Sequence, residues 1–221
     1  MSKKQLAKML DSTNVKATAT RRDIETLCRE AVRYGFGCVC VNPVYVKLAS
    51  TLLRKSDVKV CSTVGFPTGT SLTEIKAIEA TRAFEDGACE LDMVINLSLL
   101  KSGDYSTTKR DIEAVANIKH LSREMVVKVI IETALLTREE KVIACKLAKD
   151  AGADFVKTST GLFGKGATVA DVKLMRKTVG ERMGVKASGG IRTYADALKM
   201  VAAGANRIGS STATAIIKGA S

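Results

Sequence analysis

The chain has 221 residues, of which 46% are hydrophobic and 4% aromatic, and its formal net charge is +12. This length suits one domain with a single large core, and no apolar run approaches the roughly 18 residues that a membrane-spanning helix needs. The basic residues are spread along segments of helical period, and aromatic residues are scarce. This pattern disfavours a nucleic-acid-binding surface and favours a field that attracts a small phosphorylated substrate.

The cysteines and the single histidine restrict the chemistry further. Cys38 and Cys40 lack the spacing of paired zinc ligands. His120 is the only histidine and lies at a polar helix end, which disfavours histidine-based hydrolysis and most zinc chemistry. We therefore expect reduced thiols in the core of a soluble cytoplasmic protein. We also expect no cofactor. The six cysteines are Cys28, Cys38, Cys40, Cys61, Cys89 and Cys145.

In chain order, short apolar runs alternate with longer segments of helical period. A short basic helix is expected first, then a weak strand at 10–14 and a helix that begins near Thr20. The other predicted strands are 38–41, 58–64, 90–95, 126–131, 154–156, 185–187 and 207–209. Such alternation indicates βα units around a parallel sheet.

The connecting segments repeat the same start and stop signals. Thr137 and Glu140 form a capping box, and Gly152 with Ala153 precedes the next strand. The pair Gly-Ala recurs before the strands at 90 and 207. Eight strands, each followed by a helix, predict a single-domain (β/α)8 TIM barrel over residues 1–221 with a short N-terminal helix. An open doubly wound sheet is the alternative, but no GxGxxG follows the first strand.

Two lysines lie in segments that should be buried. Lys157 precedes the loop TSTG, and Lys186 precedes ASGG. A buried ammonium is costly unless it is paired or neutral. One such lysine could merely protect an exposed edge strand. Two in similar settings indicate amine chemistry.

Alternation along the fourth strand places Asp92 on the face opposite its apolar neighbours, towards the barrel interior. Lys128, Lys157 and Lys186 lie on the next three strands, so their side chains should converge with this carboxylate. A Schiff-base nucleophile beside an activating lysine is the simplest interpretation. The alternatives are a buried structural salt bridge for Asp92 and an internal ion pair of Lys128 with Glu132.

Two further segments are suited to an anion. Residues 188–190 follow the seventh predicted strand, and residues 209–212 follow the eighth. Many barrels bind phosphate at these positions with backbone N–H groups and a short helix. We therefore expect the phosphate of a substrate to bind there.

Seven segments resemble the deoxyribose-phosphate aldolase family, nearly end to end and in the expected order. They are VCVNP (39–43), STVGFPTG (62–69), ELDMVIN (90–96), VKVIIET (127–133), ADFVKTSTG (153–161), GVKASGGIRT (184–193) and RIGSS (207–211). The resemblance implies a class I aldolase, an aldehyde-lyase that cleaves 2-deoxy-D-ribose 5-phosphate reversibly to D-glyceraldehyde 3-phosphate and acetaldehyde without metal. Its partners would be these small molecules and further copies of the same chain.

The resemblance also implies residue roles. Lys157 would form the Schiff base, Lys186 would favour the neutral amine of Lys157 and assist proton transfer, and Asp92 would shuttle protons through an ordered water. The phosphate would contact Gly161, Gly189, Gly190, Ser210 and Ser211. Further candidates are Asp11, Thr13, Lys16 and Lys128.

The sequence departs from the family pattern in two places. Ser12 stands where many members have histidine, and residues 218–221 lack the tyrosine-bearing tail of some members. Both departures bear on proton transfer and on nonphosphorylated aldehydes as substrates. The competing functions are a Schiff-base barrel aldolase for another phosphorylated sugar and a basic RNA- or DNA-binding protein.

Overall fold

Eight parallel strands form a closed barrel, which confirms the predicted TIM barrel. A computed structural model describes residues 1–220; Ser221, the last residue of the predicted domain and of its C-terminal end, lies outside the described residues. Each strand pairs with the next along the chain, and β8 pairs with β1. The strands are β1 Leu10–Asn14, β2 Cys38–Val41, β3 Lys59–Val64, β4 Glu90–Val94, β5 Val126–Ile130, β6 Phe155–Lys157, β7 Gly184–Ser188 and β8 Arg207–Ser210.

Helices surround the barrel and include the predicted short helix at the N-terminus. They are α1 Lys3–Met9, α2 Arg21–Tyr34, α3 Val46–Leu53, α4 Thr73–Glu85, α5 Leu97–Lys101, α6 Tyr105–Ala116, α7 Arg138–Asp150, α8 Val169–Val179, α9 Tyr194–Ala202 and α10 Ala213–Lys218. Short 3-10 turns lie at Pro43–Tyr45, Asn117–His120 and Thr133–Leu135. Within residues 1–220, no helix has both the length and the apolar character that crossing a membrane requires.

The residues predicted to begin and end the helices do so in the structure. Thr20 and Thr137 cap α2 and α7 with complete capping boxes, which satisfy backbone N–H groups that would otherwise lack a partner. Gly87, Gly152 and Gly204 have positive φ and end the turns before β4, β6 and β8. These signals fix where the helices begin and where the following strands start.

Several strands differ from their predicted limits by one or two residues. The sixth strand is Phe155–Lys157 rather than 154–156, so Lys157 is its last residue. Ser188 and Ser210 were expected in loops but lie in β7 and β8, because the ladder continues through the pairs Ser188↔Gly209 and Ser12↔Ser210. The predicted anion-binding segments therefore begin inside the barrel wall.

Side chains that face the barrel axis form polar layers, while the apolar core lies between barrel and helices. Two observations define the layers: the register of each strand pair, and the alternation of side-chain direction along each strand. Each layer contains four residues, one from every second strand. From the amino ends of the strands, the layers are Cys38, Glu90, Phe155 and Arg207; then Asp11, Cys61, Lys128 and Lys186; then Cys40, Asp92, Lys157 and Gly209. Most of the ionisable groups of the interior are thereby stacked on adjacent levels.

Gly209 is the member of the third layer without a side chain. A Cβ at this position would lie 2.6 Å from Ser188 Oγ and 3.1 Å from Lys186 Cε. Glycine therefore leaves room for the Lys186 side chain in the layer that holds Asp92 and Lys157.

A second buried ion pair lies outside the barrel, between α4 and α6. Lys76 Nζ is 2.6 Å from Asp111 Oδ2 and also donates to the carbonyl of Val94, at the end of β4. Both side chains are fully buried. Removing one partner of such a pair leaves an uncompensated charge, whereas replacing both with apolar residues does not.

We therefore expect Asp111→Ala to lower the free energy of unfolding by about 3–5 kcal/mol because it leaves the Lys76 ammonium unpaired. The double variant Lys76→Met/Asp111→Leu should recover most of that loss. Urea denaturation of the three proteins measures both effects. An Asp111→Ala protein as stable as the wild type would contradict the assignment.

Candidate active site

Asp92 is the common partner of three lysines inside the barrel. Lys157 Nζ and Lys186 Nζ each lie 2.7 Å from Asp92 Oδ2, and Lys128 Nζ lies 2.9 Å from Asp92 Oδ1. Asp92, Lys128 and Lys186 have no exposed surface, and Lys157 is 2% exposed. The structure thus brings together the four residues that alternation and strand order predicted to converge.

The ion pairs continue towards the amino ends of the strands. Lys186 Nζ is 2.5 Å from Asp11 Oδ2, and Arg207 Nη2 is 2.6 Å from Asp11 Oδ1. The same Arg207 nitrogen lies 3.0 Å from Glu90 Oε2, which in turn is 2.6 Å from Lys128 Nζ. Asp11, Glu90 and Arg207 therefore connect Lys186 with Lys128 beneath the layer of Asp92.

The contact of Lys128 with Asp92 agrees with the predicted convergence, whereas the alternative ion pair of Lys128 with Glu132 is wrong. Lys128 pairs with Glu90 and Asp92, whereas Glu132 accepts hydrogen bonds from Thr160. Glu132 has a φ of 52°, so the alternation of the strand ends before it. Side-chain period cannot be extended through a residue with left-handed backbone conformation.

The ion pairs shift the pKa values of Asp92, Lys186 and Asp11 in the direction that favours their charged forms. Burial opposes the charge on Asp92, but Lys128, Lys157 and Lys186 outweigh it and hold the pKa of Asp92 well below its ordinary value. Burial likewise opposes the charge on Lys186, but Asp11 and Asp92 hold the pKa of Lys186 above its ordinary value. For Asp11, burial is outweighed by Lys186 and Arg207, which lower its pKa to about 2.

Thiols on β2 and β3 also contact Asp92. Cys61 Sγ lies 3.2 Å from Asp92 Oδ1, and Cys40 Sγ lies 3.8 Å from Asp92 Oδ2. Two groups of donors are close enough to share an ion: Cys40, Cys61 and Asp92 in one, and Asp11, Cys38 and Glu90 in the other. All three carboxylates already bind lysine or arginine, so an ion at either group would have to displace those cations.

A cavity of about 320 Å³ opens at the carboxyl ends of β1, β6, β7 and β8. Seven of the predicted residues line it: Thr13, Lys16, Gly161, Gly189, Gly190, Ser210 and Ser211. Gly209 lines it too, and its missing side chain leaves the cavity close to Lys186. The other five, Asp11, Asp92, Lys128, Lys157 and Lys186, lie deeper in the barrel interior and are not among the lining residues.

Sequence reasoning missed several residues of this region. Arg192, Asn14 and Thr160 also line the cavity, as does Ser188 of the predicted segment 188–190. Glu90 and Arg207 belong to the buried ion pairs. The alternation of side-chain direction along β4 predicts that Glu90 faces the interior, because it lies two residues before Asp92 on the same face. Arg192 stands in the segment GGIRT but was not singled out.

The loop that follows β6 packs closely against the residues that follow β7. The Ala167 N–H donates to the carbonyl of Gly189 at 3.0 Å, and a Cβ on Gly166 would lie 2.3 Å from the Gly189 carbonyl carbon. Glycine at 166 is therefore required for this crossing. It holds the segment that begins at Thr160 and Gly161 against Gly189 and Gly190.

Asp11 predicts a specific dependence of stability on pH. Its pKa is lowered in the folded protein to about 2 from an ordinary 3.8, so its stabilisation is present above pH 3.8 and is lost as pH falls through about 2. Between about pH 5 and pH 2, wild type should lose about 2 kcal/mol more unfolding free energy than Asp11→Asn. Urea denaturation across this range measures the difference, with the exposed Asp57→Asn as control. Equal slopes for wild type and Asp11→Asn would contradict the assignment.

Comparison with known proteins identifies the family. The chain matches the DeoC/LacD family aldolase over residues 6–219. Proteins named deoxyribose-phosphate aldolase from Thermococcus gammatolerans and Thermococcus kodakarensis are each 60% identical to it. The first alignment covers 97% of this chain and 96% of the relative, and the second covers 100% and 99%.

A solved structure agrees with these sequence relatives. The tetrameric deoxyribose phosphate aldolase from Aeropyrum pernix superimposes with a TM-score of 0.92 at 40% identity, covering 98% of this chain and 91% of that one. The match to the family spans nearly the whole chain, and the shared fold spans it as well. The chain therefore belongs to the DeoC/LacD family of aldolases.

Proposed function

We propose that this aldolase cleaves 2-deoxy-D-ribose 5-phosphate reversibly to D-glyceraldehyde 3-phosphate and acetaldehyde through a Schiff base on Lys157. The observation that carries the proposal is the contact of Lys157 and Lys186 with one oxygen of Asp92, beside a glycine-lined cavity. The names of the Thermococcus relatives support the same substrate.

Exposure and pairing favour Lys157 as the nucleophile among the three lysines. Lys157 is 2% exposed, whereas Lys128 and Lys186 are fully buried. Within residues 1–220, Lys157 contacts the single carboxylate of Asp92, whereas Lys186 also binds Asp11 and Lys128 also binds Glu90. Lys157 therefore has the fewest ion pairs to lose when its amine attacks a carbonyl.

The chemical steps follow from an amine nucleophile. Lys157 Nζ adds to the C1 aldehyde of the sugar, and loss of water leaves an iminium. The C2–C3 bond then breaks: its electron pair moves to the iminium and forms an enamine, while the C3 hydroxyl loses its proton and becomes the aldehyde of glyceraldehyde 3-phosphate. Protonation at C2 and addition of water release acetaldehyde and restore the amine.

We propose that Lys186 and Asp92 move these protons. Lys186 remains an ammonium because Asp11 and Asp92 stabilise it. It can therefore donate a proton to the hydroxyl group of the amine adduct, which then leaves as water. Asp92 contacts both Lys157 and Lys186 and compensates the positive iminium. We propose that an ordered water relays protons between Asp92 and the substrate.

The cavity suits the phosphate end of the sugar. Gly161, Gly189 and Gly190 have positive φ and no side chain, so their backbone can approach an anion closely. Ser210 and Ser211 supply hydroxyl groups, and the lining also includes two cations, Lys16 and Arg192. We propose that the phosphate binds among these groups, with Thr13 nearby.

We further propose that residues 1–221 form a single domain that works without metal as a cytoplasmic homo-oligomer. The Aeropyrum pernix relative is described as tetrameric, which supports self-association. The six cysteines are free thiols, as expected in a reducing compartment.

Borohydride trapping with acetaldehyde tests the proposal. We expect a reduced adduct on Lys157 in peptide maps of the wild type, no adduct for Lys157→Ala, and slower but detectable trapping for Lys186→Ala. The exposed Lys173→Ala serves as the matched control and should be trapped like the wild type.

Two outcomes would contradict the assignment. Trapping by a ketone donor but not by acetaldehyde would indicate an aldolase for another sugar. An adduct on Lys186 rather than Lys157 would exchange the two roles.

A further inference from the structure

Glu132 has an unusual backbone conformation near the candidate active site. It follows β5 by two residues and has a φ of 52°, and it is the one non-glycine residue of positive φ among residues 1–220. A side chain in this region of backbone space is strained, so the surrounding contacts must hold it there. Such strain often accompanies function, and the contacts of Glu132 indicate which function.

The Glu132 carboxylate binds both donors of Thr160. Its Oε2 accepts a hydrogen bond from the Thr160 N–H at 2.9 Å and from the Thr160 hydroxyl at 2.5 Å. Thr160 Oγ1 in turn accepts from the Leu162 N–H at 3.2 Å. A charged acceptor strengthens both bonds to Thr160, so Glu132 fixes the start of the loop from both backbone and side chain.

Backbone bonds extend the same connection to Lys157. Beyond the end of β5, the Ile131 N–H donates to the carbonyl of Lys157 at 3.0 Å, and the Thr133 N–H donates to the carbonyl of Thr158 at 2.9 Å. Glu132 lies between these two donors in the chain. These backbone hydrogen bonds therefore fix the position of Glu132 relative to Lys157. The hydrogen bonds from Thr160 to the Glu132 carboxylate in turn fix the position of Thr160.

Thr160 and Gly161 line the cavity, whereas Glu132 is fully buried and is not a lining residue. We propose that Glu132 is a positioning residue that holds Thr160 and Gly161 where the phosphate of the substrate binds. The proposal rests on the proposed function above, because it concerns the phosphate site of that same reaction. Glu132 acts through Thr160 and does not touch the substrate.

Three substitutions separate positioning from general stabilisation. Glu132→Gln keeps an amide oxygen that can accept from Thr160. Glu132→Ala removes the acceptor and keeps the backbone strain, whereas Glu132→Gly removes the acceptor and relieves the strain. The control Glu79→Ala removes a comparable carboxylate, which accepts from the Gly65 N–H at 2.6 Å in a different loop.

Steady-state kinetics with deoxyribose 5-phosphate and with unphosphorylated deoxyribose test the proposal. Glu132→Ala and Glu132→Gly should raise KM for the phosphorylated sugar by about tenfold or more, the loss expected for hydrogen bonds to a charged group. KM for deoxyribose and trapping by acetaldehyde should remain within about twofold of wild type, since neither compound has a phosphate. Glu132→Gln should restore most of the affinity, and Glu79→Ala should leave both KM values unchanged.

Melting temperatures complete the comparison. Glu132→Gly should melt above Glu132→Ala because glycine tolerates a φ of 52°, yet the two should share the same raised KM. If KM rises equally for both sugars, or if the KM of the variants follows their melting temperatures, the positioning role is wrong.

Thr160→Val provides a second approach that does not depend on folding of the Glu132 variants. It removes the hydroxyl but keeps the N–H, so it should raise KM for the phosphorylated sugar selectively, and its effect should not add to that of Glu132→Ala. Unchanged KM in Thr160→Val would contradict the proposal. Failure of the wild type to be trapped by acetaldehyde would instead refute the proposed function.

Discussion

One buried carboxylate, that of Asp92, compensates three buried ammonium groups, and the rest of the barrel interior is arranged around this compensation. An ammonium–carboxylate contact contributes roughly 4–6 kcal/mol at an effective dielectric constant of about 20, which is comparable with the cost of removing each ion from water. No single pair would offset the burial of several charges. The two oxygens of Asp92 are shared among Lys128, Lys157 and Lys186, and further carboxylates lie beneath them. Together these contacts offset the free-energy cost of burying the charges.

The barrel geometry makes this sharing unequal. Successive layers come from alternate strands, so Lys128 and Lys186 lie in the layer with Asp11, whereas Lys157 lies in the layer of Asp92. The two deeper lysines each gain a second carboxylate, and Lys157 does not gain one among residues 1–220. Gly209 is the fourth member of the layer that contains Lys157, and it has no side chain to fill the space there. The same packing thus distinguishes Lys157 from Lys128 and Lys186, which each bind two carboxylates.

Local signals in the sequence predicted much of this arrangement. Alternation along β4 and the order of the strands were enough to bring Asp92 and the three lysines together, because side-chain direction in a strand has a period of two. The glycines and serines of the cavity were found because phosphate sites recur at the ends of the last two strands of such barrels.

The errors have physical causes that local patterns do not contain. The pairing of Glu90 with Arg207 joins residues that are 117 positions apart and depends on closure of the barrel. The alternative ion pair of Lys128 with Glu132 is wrong because Glu132 adopts a left-handed backbone conformation, which redirects its side chain to Thr160. Loop limits near β7 and β8 were wrong because hydrogen bonding continues through small polar residues that resemble a turn.

The ionisation of Asp92 is the most direct test of the shared carboxylate. Carbon-13 NMR of protein labelled at the aspartate carboxyl groups, with Asp92→Asn used for assignment, follows this group as pH is lowered. The lysines hold the pKa of Asp92 well below its ordinary value of 3.8, so the resonance should stay at the position of the ionised form as pH falls through that value. Protonation of Asp92 at or above its ordinary pKa, in protein that is still folded, would contradict the account.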